Sequence, residues 1–146
     1  MDDGTDLDRR PEGATDDVVA AVGALTEALE TVEEARGHLY AFHRLTGKAD
    51  FRAGEAAERL RAAGADELAA QLESEVVGRN VLFGRWTFQV VEEYDDGYYA
   101  ALRDAETSAR ERLLEGRRHV HEADLKSARR SRDRSGHEPD PTGGGG

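Results

Sequence analysis

The chain has 146 residues, the length of one ordinary domain, with 38% hydrophobic, 6% aromatic and 35% charged residues. It contains no cysteine, which excludes disulfides, zinc ribbons and thiol nucleophiles. The formal net charge of -11 argues against nucleic acid as a main partner.

Residues 1–14 are rich in Asp and broken by Gly4, Pro11 and Gly13, the composition of a disordered acidic tail. They lack the basic start and apolar run of a secretory signal, and no window approaches the ~18 apolar residues of a membrane span. The expected setting is therefore cytoplasmic, away from membranes. Thr15 or Asp16 suits an N-cap, with Asp16 and Asp17 favourable at the positive end of a helix dipole. From there Val18, Val22, Leu25, Leu29, Val32, Leu39 and His43 recur at alternating spacings of four and three. This coiled-coil-like seam predicts a helix to about Thr46, stopped by Gly47. Arg36 fills the missing place in the series.

Asp50 is expected to cap a second, short helix with Phe51, Ala56, Ala57 and Leu60 inward and Gly64 as its stop. Asp66 is expected to cap a third, with Leu68, Ala69, Leu72 and Val76 inward, closed by Gly78. Residues 79–84 read as a turn, and a major helix begins near Arg85 or Trp86. At about 100° per residue, Val90, Val91, Tyr94, Tyr98, Ala101, Leu102, Ala105 and Ala109 share its core face. Gly116 weakens this helix. Residues 117–146 read as a basic tail, partly helical and then disordered, with 7 basic and 5 acidic side chains against 13 and 26 in residues 1–116.

The predicted fold is all-α: two long helices with a short helical hairpin between them, an irregular four-helix bundle with disordered ends. Residues 15–116 form its helical domain.

Two groups of residues stand out on the predicted helices. Phe88, Glu92, Asp95 and Tyr99 are spaced four, three and four, a stripe opposite the core face that reads as a contact with another helix or a second chain. Arg36 and His43 sit seven apart on the first seam. A guanidinium there must reach water or meet an acceptor, because an unpaired buried charge is costly. Glu93 and Asp96, flanking the core face of the major helix, are the expected acceptors. The reading is an Arg36–Glu93 pair with His43 nearby, a polar pocket where any small ligand would bind. Trp86 is expected to anchor the junction of hairpin and major helix against Leu82 and Val90.

Metal chemistry finds little support. Magnesium-dependent pyrophosphohydrolases of the MazG type use E-x-x-E and E-x-x-D helices, which Glu30/Glu33, Glu55/Glu58, Glu92/Asp95 and Glu93/Asp96 resemble over tetrapeptides only. With 17 Glu among 31 acidic residues, chance gives roughly 3.6 Glu-x-x-acid matches and five occur. No Glu lies three residues before a histidine, as ferritin-type di-iron bundles require. No metal ligand, catalytic residue or cofactor is assigned.

The runs ARGHLYAFHRLTGKADF and GRNVLFGRWTFQVVEEYDDGYY resemble small helical proteins of high-GC actinobacteria that carry no assigned activity, over about Glu33 to Leu102. The resemblance implies no chemistry, but it marks Arg36, His38, His43, Arg79, Asn80, Arg85 and Trp86 for attention. The leading expectation is a non-enzymatic module acting through protein contacts, as a homodimer. A metal-dependent all-α enzyme, or a small-ligand-binding bundle with a carboxylate-lined pocket, is the alternative.

Overall fold

The amino-terminal seam builds α1, which runs unbroken from Asp16 to Ala62 in the computed structural model, whose described residues are 9–131 and 134–138. There follow α2 (Asp66–Glu75), α3 (Thr87–Tyr94), a π-helical turn (Asp95–Tyr99), α4 (Ala100–Leu114) and α5 (Val120–Arg129). Among the described residues no strand forms; one isolated antiparallel bridge joins Leu82 to Arg85. The protein is all-α. No helix is long and apolar enough to cross a membrane among these residues. Residues 1–8, 132–133 and 139–146, which include much of the expected tails, lie outside the description.

The expected break at Gly47 and restart at Asp50 do not occur. Arg36, Leu39, His43, Thr46, Asp50 and Ala57 are half-buried or buried along one continuing seam. The seam turns from Val and Leu to polar and small residues, so its apolar signal fades while the helix continues. Gly47 sits inside the helix, tolerated at a cost of about 1 kcal/mol relative to Ala. Asp50 caps no helix start; its Oδ1 accepts the backbone N–H of Gly78 at 2.8 Å, beyond the end of α2. Phe51, expected inward, is 83% exposed because it falls off this seam. The hairpin is thus the end of α1 with α2, and the expected second long helix is α3 and α4 interrupted by the π-turn.

The chain divides into two units, with α1 contributing to both. The first comprises the described residues up to Thr31 and from Ala101 onward. Its core is Val19, Val22, Leu114 and Val120, flanked by Ala14, Val18 and Ala109. Residues 9–14 lead into α1 with Pro11 buried and Arg10 bonded to Asp16 (2.5 Å) and Asp124 (2.7 Å). Glu106 is buried, where a lone charge would be costly, and is held by Arg110 at 3.1 Å and by the Thr26 hydroxyl at 3.2 Å.

The second unit is Val32–Ala100. Its buried apolar residues are small: Ala57 of α1, Ala69 of α2 and Val91 of α3. Leu68 and Val76, expected inward on α2, are exposed, since Ala69 and Leu72 alone hold the inner face. Across the hairpin the Arg61 guanidinium grips both oxygens of Glu73, at 3.1 and 2.5 Å, and holds that carboxyl below the usual carboxylate range.

Candidate functional site

The second unit carries a polar line along the α1 seam, built from Arg36, His43 and Asp50 at intervals of seven. Two helical turns separate consecutive members, so they share one face. Each meets a different group on the returning chain. Asp50 takes the Gly78 N–H. His43 Nδ1 lies 2.6 Å from the Thr87 hydroxyl, at the first residue of α3. The start of α3 is fixed further by Gln89, whose Oε1 accepts the Trp86 N–H at 2.8 Å and so satisfies the N-cap backbone.

Arg36 meets the π-turn. Its Nε donates to Asp95 Oδ1 at 2.5 Å and its Nη2 to Asp95 Oδ2 at 3.1 Å, a forked carboxylate pair. Tyr40 donates its hydroxyl to the same Oδ2 at 2.8 Å and accepts from Arg36 Nη2 at 3.2 Å. The guanidinium lies 4.8 Å from the Tyr40 ring centre and 5.0 Å from that of Tyr99, so it is stacked as well as paired. Tyr99 in turn donates to Glu33 at 3.4 Å. The hydrogen bonds from Arg36 hold the Asp95 carboxyl below its ordinary range against the opposing effect of partial burial. The same bonds push the Arg36 pKa up, and the bond to Asp95 pushes the Tyr40 phenol up.

The expected Arg36–Glu93 pair is therefore replaced by Arg36–Asp95. Glu93 pairs instead with Arg85, and Asp96 is exposed. The cause is helical phase: Asp95 follows the buried Val91 by four residues and shares its face, whereas Glu93 stands two residues on, about 200° round the helix. Past Asp95 the π-turn, with its i→i+5 bonding, departs from a uniform 100° step and leaves Tyr98, expected on the core face, 65% exposed while Tyr99 turns to α1. A glycine, Gly97, lies inside the turn, where low helix propensity weakens regular α pairing. Thr87 and Tyr40 were not singled out from the sequence. Only the seven-residue recurrence of polar seam positions pointed at partners of this kind.

The expected stripe splits. Asp95 and Tyr99 face α1, Glu92 is exposed, and Phe88 is 41% exposed beside Trp86, their ring centres 5.2 Å apart. Trp86 itself is 59% exposed and anchors no buried junction, because it stands at the N-cap of α3 outside the seam. His38 faces outward, 4.0 Å from Glu34. Arg79 and Asn80 are exposed in the turn segment before α3.

Two surface hollows lie nearby. Asn80, Gly84, Arg85, Trp86 and Gln89 line one of about 230 Å³. Arg85, Val90, Glu93, Tyr94, Gly97 and Tyr98 line a groove of about 350 Å³ over the π-turn. Among the described residues, no three His, Asp or Glu side chains converge as ligands for a metal ion. No protein-family model, curated protein or solved structure matches this chain.

Proposed function

We propose that this protein is a helical module working through protein contacts, and that it pairs with a second copy through residues 32–100. One observation carries the reading. Of thirteen exposed large hydrophobic side chains among the described residues, eleven belong to that unit, including Phe51, Phe83, Trp86, Phe88 and Tyr98. Scattered exposed apolar residues are ordinary, but aromatic side chains concentrated in one unit are the material of interfaces. Meanwhile the unit's own seam is closed with alanine, valine and hydrogen-bonded polar groups. Its aromatic surface is left to do something else.

The test is mass in solution by sedimentation or light scattering over a concentration series. A dimer that dissociates on dilution is the expected result. A monomer at every concentration refutes the proposal.

A further inference from the structure

The turn before α3 exposes an aromatic knob. Leu82 and Arg85 close a tight turn through their bridge, and Gly84 supplies the positive φ of 77° that the turn needs. Phe83 stands at its tip, wholly exposed. The turn keeps this phenyl ring out of its own chain's core and presents it to solvent.

Next to it lies a hole. The groove over the π-turn has Val90, Tyr94, Gly97 and Tyr98 as its apolar walls and floor, with the Arg85–Glu93 ion pair at the rim. A Cβ placed on Gly97 would meet nothing within 4 Å, so the space over that residue is open. An apolar cavity of about 150 Å³ takes a benzene ring. A groove of 350 Å³ therefore admits a phenyl side chain with room for its flanking atoms. Phe83, being fully exposed, does not occupy it in its own chain.

Charge selects the occupant. The turn segment 79–86 carries Arg79 and Arg85 and no acid, whereas residues 92–96 carry Glu92, Glu93, Asp95 and Asp96 and no base. Glu92 and Asp96 are exposed, and no ion pair within the described residues engages them. A basic turn bearing an aromatic knob complements an acidic segment bearing an aromatic-lined groove, and one chain carries both. Arg85 belongs to the turn and to the groove's rim, so knob and hole are neighbours. A two-fold axis beside them would seat both at once, the self-complementary arrangement of a closed dimer.

We propose that two copies pair reciprocally, Phe83 of each seated in the Val90/Tyr94/Gly97/Tyr98 groove of the other. This rests on the self-association proposed above and specifies its geometry.

Because the chain has no cysteine, introduced thiols are the only ones present. Equal amounts of Phe83→Cys and Tyr98→Cys, mixed and oxidised, should give a disulfide-linked heterodimer, with far less cross-linking in either variant alone. Phe83→Ala should weaken the dimer about 30-fold or more, as loss of an interface hot spot does, and Gly97→Leu should do the same by filling the groove. Since Phe83 buries nothing within its own chain, the helical spectrum of Phe83→Ala should match the parent. A parent dimer that Phe83→Ala forms equally tightly, without the mixed cross-link, overturns this geometry and leaves self-association standing. A monomeric parent overturns both.

Discussion

Three glycines inside α1, at 37, 47 and 54, give the sharpest test of its continuity. None has a positive φ, and a Cβ at any of them would meet nothing within 4 Å. Replacing each by alanine removes unfolded-state freedom and adds no clash, so each should stabilise by about 0.5–1 kcal/mol. For a chain of this size 1 kcal/mol raises Tm by roughly 2–4 °C. Gly23, also in α1, provides the contrast: its Cβ would come 3.2 Å from Cβ of His121 and 3.3 Å from its Cγ. That contact offsets the gain, so Gly23→Ala should fall below the other three. Thermal unfolding by circular dichroism measures all four. Gly47→Ala carries the decisive sign. If the helix ended at Gly47, the residue would take a left-handed conformation and alanine there would destabilise by about 1 kcal/mol. A fall in Tm for Gly47→Ala would therefore refute the single long helix.

Asp95→Asn tests the polar cluster through pH. A carboxyl held low in the folded state contributes stability that is present above about pH 4, its ordinary range, and is lost as pH falls through the lowered pKa. The Tm gap between parent and Asp95→Asn should be constant near neutrality and narrow only in acid; a gap that widens there would contradict the pair. In the other unit, Leu114→Ala should cost about 2–5 kcal/mol, because Leu114 is fully buried against Val19, Val22 and Val120. Leu113→Ala, next to it and exposed, should cost much less, and equal losses in denaturant unfolding would place the core elsewhere.

The helical class was legible because Val18 to His43 keep a spacing of four and three, which only a helix brings onto one face. Arg36 was legible as a residue needing a carboxylate, since nothing else on that seam is charged. Which carboxylate it takes was not legible. Glu93 and Asp95 stand on nearly opposite sides of the helix, and only knowing that Val91 is the buried residue of α3 shows that Asp95, four residues on, faces α1. The length of α1 was hidden for a different reason. Asp50 and Gly47 are good end signals by composition, but Asp50 spends its oxygen on Gly78, a group distant in sequence. The exposure of Trp86 and Phe51 was hidden because hydrophobicity says what a side chain gains on burial, not whether its own chain supplies the cover.

The three seam pairings also explain how a unit with so little apolar burial holds one register. Arg36, His43 and Asp50 advance by sevens, while their partners Asp95, Thr87 and Gly78 run back by eight and nine. The interval of eight runs the length of α3, and the interval of nine crosses the non-helical chain from Gly78 to Trp86. Sliding α1 by two turns would bring Arg36 toward a threonine hydroxyl and His43 toward a glycine amide, and leave Asp95 and Asp50 without their bonds. Each charged group so stranded at a half-buried site loses a bond that water replaces only in part. Alanines at 57 and 69 cannot resist such a slide, since small smooth surfaces pack nearly as well one turn away. Specificity therefore resides in the polar residues. Phe51, Phe83, Trp86 and Phe88 are left free of the seam, where a substitution such as Phe83→Ala acts on association without acting on the fold.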